Sequence, residues 1–198
     1  MLTLLRRMNL PNRLTLLRIL LVPAFCAFIC MEAGSAQLTA ALIFIAAALT
    51  DLLDGRIARM RSLVTDFGKL MDPVADKLLV TAAMVFLTAQ NRMNAGMCVA
   101  FIAREFIISG FRMVAASRGV VIAAGPLGKY KTTAQMAAIV ATILCMPVGN
   151  EPSLLGTYLH DAAPIAAVAL MWIALALAVI SCIDYIWRNR NVIDTTNI

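Results

Sequence analysis

Short polar segments divide this chain into long apolar runs, and no other feature limits its possible folds as strongly. Hydrophobic residues make up 62% of the sequence, and the mean hydropathy is +0.86. A soluble domain of 198 residues does not carry so large an apolar share. Several runs reach the roughly 20 residues that a membrane-spanning helix requires. The sequence therefore predicts an all-α, polytopic membrane protein with one domain over residues 1–198.

Six transmembrane helices are expected, each ending at a polar break. In chain order the predicted helices cover residues 12–31, 37–60, 73–89, 95–117, 127–146 and 164–187. Residues 1–10 are predicted to form a short interfacial helix, and residues 188–198 a cytoplasmic tail. A signal peptide is the alternative for the N-terminus. It is disfavoured because Arg13 and Arg18 interrupt its apolar segment.

Basic residues concentrate at one end of the predicted helices. Six helices return both termini to the same side, and all but two of the 17 Lys and Arg residues fall there. The exceptions are Arg92, in an opposite loop, and Arg104, within a helix. The positive-inside rule then predicts a multi-pass protein of the cell inner membrane with cytoplasmic termini. The same distribution suits an acidic lipid surface and does not indicate nucleic acid.

The segment from Asp51 to Asp76, which runs from the end of the second predicted helix to the start of the third, contains Asp51, Asp54, Asp72 and Asp76, four of the 11 acidic residues of the chain. Carboxylates at the mouth of a membrane-spanning helix are costly, so they usually mark a functional site. The alternative is a charged loop in which these acids pair with neighbouring Arg and Lys side chains. The spacing of the four aspartates favours a functional site over a charged loop.

On a helical wheel, Asp51 and Asp54 share a face with Gly55 and Ala58, and Arg59 lies at its edge. The carboxylates suit a hard cation such as Mg²⁺. The two small residues leave room for a ligand against the backbone. The guanidinium can meet a phosphate. This face therefore predicts a site for a metal and a nucleotide.

Asp72 and Asp76 are four residues apart, so on a helix they also share a face. Pro73 leaves two possibilities open. Asp72 caps the start of the third helix with Pro73 in its first turn, or the helix starts earlier and kinks at the proline. Gly68, four residues before Asp72, again removes bulk.

Four carboxylates exceed what one Mg²⁺ usually takes from protein. Two metal ions are therefore expected, and a two-metal clamp suits displacement at phosphorus. One carboxylate could instead act as general base for an attacking hydroxyl. The aspartate segment thus favours phosphoryl-group chemistry over a charged loop.

The complete pattern D-x2-D-G-x2-A-R-x8-G-x3-D-x3-D, from Asp51 to Asp76, resembles the signature of the CDP-alcohol phosphotransferases. The resemblance implies a six-helix membrane bundle that forms a homodimer. It implies Mg²⁺ or Mn²⁺, as two ions, held by Asp51, Asp54, Asp72 and Asp76, with Asp76 also the catalytic base. It implies transfer of the donor's β-phosphate to an alcohol with release of CMP. The residues expected to bind the CDP-diacylglycerol donor are Asn12, Thr15, Gly55, Ala58, Arg59, Thr65 and Gly68.

Asn12 and Thr15 belong to an N-terminal stretch, PNRLTLLR, that also has an ordinary structural interpretation. In that interpretation Asn12 is a helix N-cap and Arg18 extends its charged group to the membrane surface. Both interpretations place this stretch at the start of the first helix.

Four further basic residues, Arg104, Arg112, Lys129 and Lys131, predict a second phosphate site, and hence an acceptor with its own phosphate. A buried Arg104 needs an acidic partner or a ligand phosphate, and Glu105 is expected to be a poor partner because adjacent helical residues point apart. The alternatives are an ion pair between helices for Arg104 and simple flanking charge for the two lysines.

The stretches around these residues, RE…SGxR and LGK-aromatic-KT-x2-Q, resemble the branch of the family whose acceptor is glycerol 3-phosphate. Tyr130 stands where tryptophan is more usual. This resemblance covers about residues 9–136, and the sixth helix adds little to it. Rival acceptors are serine, inositol phosphate and phosphatidylglycerol. Rivals from other classes are a divalent-cation transporter and a purely structural membrane protein.

Overall fold

In the computed structural model of the protein, the described residues form six α-helices. The structure describes residues 10–61, 66–120, 122, 125–147, 153, 155 and 162–190. Within these ranges it describes only the backbone at residues 10–14, 51–61, 66–70, 72, 73, 76, 126 and 129. The helices are α1 (Leu10–Ile29), α2 (Gly34–Arg61), α3 (Asp66–Ala89), α4 (Ala95–Ser117), α5 (Pro126–Cys145) and α6 (Ala162–Arg188). The all-α prediction is confirmed, and these residues include no strand.

Two helices begin earlier than the predicted ranges, each near a proline. Helix α3 begins at Asp66 and not at residue 73, so of the two possibilities at Pro73 the earlier start is confirmed and Asp72 does not cap the helix. Helix α1 begins at Leu10, so Asn12 lies inside it and the N-cap interpretation is wrong. Proline is readily accommodated in the first turn of a helix, whereas in an interior turn it removes one backbone hydrogen bond and its ring crowds the carbonyl group four residues earlier. Pro23 within α1 is a second interior example.

The helices pack as two groups that share one apolar core. Helix α1 packs against α2 and α3, whereas α6 packs against α4 and, most extensively, α5. Contacts of α2 with α5, and of α3 with α4 and α5, join the groups. The rings of Phe25 and Phe44 meet in this core with centroids 5.9 Å apart. Phe101 and Ile139 contribute from the second group and are fully buried.

The outer surface of the bundle is also apolar. Exposed large hydrophobic side chains occur on both groups of helices. On α6 they include Ile165, Trp172, Ile173, Ile183 and Trp187. Among the described residues, α6 is the one helix that is long and apolar enough to cross a membrane. Shorter apolar stretches cover Thr15–Ile29, Gly34–Thr50 and Lys77–Ala89. The prediction of six spans is thus supported at one helix and stays a prediction for the others.

One end of the bundle, here called the far end, contains the α1–α2 turn, the α3–α4 turn and the last turn of α5. Arg92, only 5% exposed, lies at its centre. Its Nη1 donates to Gln37 Oε1 at 2.8 Å. Its Nη2 donates to the carbonyl oxygens of Thr142, Ile143 and Met146 at 2.7, 2.6 and 3.0 Å. Arg92 thereby donates to carbonyl groups at the C-terminus of α5, where helix carbonyl groups lose their intrahelical partners; the carbonyl of Thr142 also accepts from the backbone N–H of Met146.

Arg92 remains positively charged although its side chain is buried. Loss of hydration lowers the pKa of Arg92 to about 10, because burial disfavours the charged form. The guanidinium therefore remains protonated at neutral pH. A positive charge near the end of α5 also interacts favourably with the negative end of the helix dipole.

Candidate functional site

The aspartate segment lies at the opposite end of the bundle, here called the motif end. Asp51 and Asp54 lie in the last turns of α2, and Asp72 and Asp76 lie in the first half of α3. Residues 62–65 connect the two helices, so both pairs belong to the same end. Their side chains lie outside the described part of the structure. Metal binding and the catalytic role of Asp76 therefore stay predictions.

The donor set nevertheless fits the metal that the family implies. Four aspartates lie on two consecutive, contacting helices at the same end of the bundle. Carboxylate oxygens are the ligands that Mg²⁺ prefers in proteins. The predicted donor-binding residues whose side chains or positions lie outside the description are Asn12, Gly55, Ala58, Arg59, Thr65 and Gly68.

Two residues of the N-terminal stretch are described, and both face the protein interior. Thr15 and Arg18 are buried, at 1% and 2% exposure. The interpretation in which Arg18 extends to the membrane surface is therefore wrong. Their spacing of three residues places them on the same face of α1. The predicted role of Thr15 in donor binding stays a prediction.

A cavity of about 1050 Å³ opens between α2, α4, α5 and α6, with Lys77 contributed by α3. Its apolar wall comes mainly from α2 and α5 and includes Phe44, Leu49, Met136 and Val140. Its polar wall consists of Lys77, Arg104, Glu105, Ser109, Arg112, Ser181, Asp184 and Tyr185. A cavity with one charged wall and one apolar wall suits an amphipathic ligand.

Glu105 is the carboxylate around which the polar wall is arranged. Its Oε1 accepts from Arg104 Nη1 at 3.2 Å and also from Lys131 Nζ. The prediction that Glu105 is a poor partner for Arg104 was wrong, because two long neighbouring side chains can converge although their Cβ atoms point apart. The pair with Lys131 is an ion pair between helices α4 and α5, and the Lys131 side chain is only 3% exposed.

Arg104 also forms a hydrogen bond with α6. Its Nη2 donates to Ser181 Oγ at 3.0 Å. Its Nε is buried and has no hydrogen-bond partner among the described atoms. Arg104 thus lies in the predicted basic cluster, but its two terminal nitrogens are already occupied by protein groups.

Arg112 contacts α6 in a different way. Its Nε donates to Tyr185 Oη at 3.3 Å, and its Cζ lies 5.5 Å from the centroid of the Tyr185 ring. The Tyr185 ring in turn packs edge-on against Phe111, with centroids 5.7 Å apart. Helix α6 therefore contacts both arginines of the polar wall.

Lys77 connects the polar wall to the aspartate segment. It follows Asp76 directly in α3, and its Nζ donates to Ser109 Oγ. Ser109 Oγ donates to the carbonyl oxygen of Glu105 at 2.7 Å. The polar wall therefore lies one residue along the chain from the predicted catalytic base. Lys129, the remaining predicted acceptor-binding residue, has its side chain outside the described part.

Comparison with known proteins extends the resemblance along the chain. The model of the CDP-alcohol phosphatidyltransferase family matches residues 8–180. This match includes α6 up to Ile180, well past the stretches that the motifs cover.

Three relatives illustrate the range of similarity. A Bacillus subtilis protein named CDP-diacylglycerol–glycerol-3-phosphate 3-phosphatidyltransferase is 40% identical, over 96% of this chain and 99% of its own length. A Rickettsia typhi protein of the same name is 37% identical, over 89% and 94%. A rice protein named cardiolipin synthase (CMP-forming) is also 37% identical, over 91% of this chain and 58% of its own length. The chain therefore belongs to the CDP-alcohol phosphatidyltransferase family.

Proposed function

We propose that this protein transfers the phosphatidyl group of CDP-diacylglycerol to glycerol 3-phosphate, which yields phosphatidylglycerophosphate and CMP in phospholipid biosynthesis. The observation that carries this proposal is the 40% identity, over nearly the full length of both chains, to a relative named for that reaction. The activity makes the protein a transferase, with CDP-diacylglycerol as donor and glycerol 3-phosphate as acceptor.

The cavity supports the proposal on chemical grounds. Its polar wall includes the cations Lys77, Arg104 and Arg112, which suit an acceptor that carries its own phosphate. Its apolar wall suits the acyl chains of a lipid donor or product. Serine carries no phosphate and would not need a second basic cluster. Lys129 and Lys131 belong to the proposed acceptor site with Arg104 and Arg112.

In the proposed mechanism, the chain's own residues orient the acceptor and move its proton. Asp76 accepts the proton of the primary hydroxyl of glycerol 3-phosphate. The resulting oxygen forms a bond to the β-phosphorus of the donor, and the bond from that phosphorus to the oxygen of the α-phosphate breaks. CMP leaves with that oxygen. Two Mg²⁺ ions held by Asp51, Asp54, Asp72 and Asp76 would neutralise charge on the pyrophosphate.

The bundle is proposed to lie in the cell inner membrane with all six helices crossing it. The exposed apolar side chains on α1, α2, α3, α4 and α6 support this, because a soluble monomer rarely exposes so much apolar surface. The concentration of Lys and Arg at the motif end supports a cytoplasmic active site and cytoplasmic termini. A homodimer is proposed as the working unit, on the family resemblance alone.

A cardiolipin synthase reaction is the second candidate, because the rice relative carries that name. Its acceptor, phosphatidylglycerol, is a lipid with no terminal phosphate. The apolar wall would accommodate such an acceptor, whereas the three cations of the polar wall favour a phosphorylated one.

Release of CMP from CDP-diacylglycerol decides between these acceptors. The purified protein, in detergent with Mg²⁺, would receive glycerol 3-phosphate, serine, inositol phosphate or phosphatidylglycerol in separate reactions. We expect release only with glycerol 3-phosphate. Release with phosphatidylglycerol alone would establish the second candidate, and a folded protein that binds Mg²⁺ without releasing CMP would favour cation transport.

A further inference from the structure

We propose that Tyr185 is a positioning residue for Arg112, and that α6 thereby helps to select an acceptor that carries its own phosphate. This inference rests on the proposed function and deepens it. The sequence motifs end well before α6, so no motif residue suggests a role for this helix at the site.

Helix α6 meets the polar wall through two side chains on one face. Ser181 and Tyr185 are four residues apart, and side chains at this spacing are neighbours on a helix surface. Ser181 accepts a hydrogen bond from Arg104, and Tyr185 accepts one from Arg112. One face of α6 therefore contacts both arginines that α4 contributes to the cavity.

The two arginines differ in which of their side-chain nitrogens are available to bind a ligand. Arg104 uses Nη1 for Glu105 and Nη2 for Ser181. Arg112 uses only Nε, and among the described residues neither of its terminal nitrogens has a hydrogen-bond partner. The side chain of Arg112 is exposed and lines the cavity. Arg112 is therefore the arginine of the polar wall whose terminal nitrogens can reach a phosphate.

Tyr185 constrains which edge of the Arg112 guanidinium faces the cavity. A guanidinium is planar, and two of its N–H groups can bind a phosphate side by side. The bond to Tyr185 occupies the Nε position, which leaves the Nη1–Nη2 edge for the acceptor. The Tyr185 ring lies within the distance of a cation–π contact. Its packing against Phe111 fixes the ring.

A purely structural role for Tyr185 is the rival explanation, since the same contacts also join α4 to α6. The two roles predict different kinetics. A positioning residue for the acceptor phosphate changes the KM for glycerol 3-phosphate and leaves kcat nearly unchanged. A structural residue lowers the amount of folded enzyme, and it affects both substrates alike.

The test uses the full-length enzyme in detergent, with CDP-diacylglycerol saturating and glycerol 3-phosphate varied. Tyr185→Phe keeps the ring and removes Oη, and we expect the KM for glycerol 3-phosphate to rise about threefold to tenfold, the range for one lost hydrogen bond. Tyr185→Leu also removes the ring and should raise KM further. In both variants we expect kcat to stay within about twofold of wild type, since uniform binding alone is lost.

Coupling to Arg112 makes the test specific. Arg112→Gln should raise the same KM, and adding Tyr185→Phe to it should raise KM no further, because the two residues act as one unit. Trp187→Phe is the matched control. Trp187 lies on the same helix, is exposed and pairs with Arg190 at 4.8 Å, so its substitution should leave KM and kcat unchanged.

Three results would overturn the inference. The first is an unchanged KM for glycerol 3-phosphate in Tyr185→Phe, and the second is a fall in kcat at constant KM in that variant. The third is a double variant whose rise in KM equals the product of the rises in Tyr185→Phe and Arg112→Gln. These results would leave the proposed function intact if wild type still uses glycerol 3-phosphate. Failure of wild type with glycerol 3-phosphate, together with activity on another acceptor, would remove the proposed function and this inference with it. Tyr185→Phe decides the question even if Tyr185→Leu does not fold.

Discussion

The two ends of the bundle use arginine for opposite purposes. At the far end, Arg92 donates to side-chain and backbone oxygens whose positions the helices fix. At the motif end, Arg104 and Lys131 share the single carboxylate of Glu105, and the terminal nitrogens of Arg112 have no hydrogen-bond partner within the described part of the chain. A guanidinium therefore stabilises the fold where it is buried among fixed acceptors, as at Arg92. It is available to a ligand where it is exposed, as at Arg112.

The largest expected effect on activity comes from Asp76→Asn at the motif end. Removing the general base is expected to lower kcat by about 10²- to 10⁴-fold and to leave thermal stability unchanged. The far-end variant Glu32→Gln, at an exposed position, should change neither. CMP release and thermal unfolding in detergent measure both quantities. Full activity in Asp76→Asn would contradict the assignment of the base.

A substitution at the far end should lower the stability of the fold and leave the catalytic reaction unchanged. Arg92→Met removes the guanidinium that donates to the carbonyl groups of Thr142, Ile143 and Met146, at a cost of about 3 kcal/mol in the free energy of unfolding. The KM for glycerol 3-phosphate of the folded fraction should not change. Because the pKa of Arg92 is about 10, Arg92 keeps its proton throughout the neutral range, and the loss should be equal at pH 6 and pH 8.

Two further substitutions sharpen this second prediction. Arg92→Lys keeps the charge but loses the planar fork, so it should fall between wild type and Arg92→Met. Arg190→Met, at an exposed position, is the matched control and should unfold like wild type. An Arg92→Met variant that unfolds like wild type would remove the far end as a stabilising contact.

At the motif end, Glu105→Gln should lower stability by less than Arg92→Met does, by about 2 kcal/mol. The substitution leaves Arg104 and Lys131 without their shared negative charge. In a Lys131→Met background the same substitution should cost roughly 1 kcal/mol less, because the two residues interact directly. Equal costs in both backgrounds, measured by thermal or denaturant unfolding, would mean that the ion pair is not coupled to the fold.

The smallest effect is expected at Tyr130, where the sequence departs from the more usual tryptophan. Its side chain is exposed, so Tyr130→Trp should change the free energy of unfolding by less than about 0.5 kcal/mol. Activity should stay within about twofold of wild type. A larger change in the KM for glycerol 3-phosphate would add Tyr130 to the acceptor site.

Local pattern was enough to predict the helices but not all of their starts. The apolar runs gave six helices, and the predicted range 95–117 for the fourth is the range observed. The start of α3 was left with two possibilities, because Asp72 before Pro73 has the usual composition of a helix cap. Such a pattern does not reveal whether a helix already exists upstream and continues through the proline.

The polar wall was predictable in part, because it depends on contacts between distant segments. Arg104 and Arg112 stand out as charges in an apolar run. Their partners Ser181 and Tyr185 lie more than 70 residues later, in a helix with no motif. The role of Glu105 was missed for a local reason, since wheel angles describe Cβ directions and not the reach of long side chains. The side chains of the four aspartates lie outside the described part, so that prediction still awaits its test.

The shared carboxylate of Glu105 also affects how such a site can evolve. Substitution of Glu105 removes the counter-charge that Arg104 on α4 and Lys131 on α5 share, so a change at Glu105 is tolerated only with a compensating change at a second position. Arg112 and Tyr185 form a separate pair outside that ion-pair network. Acceptor preference can therefore diverge at Arg112 and Tyr185 by single substitutions, while the Glu105 network stays the same.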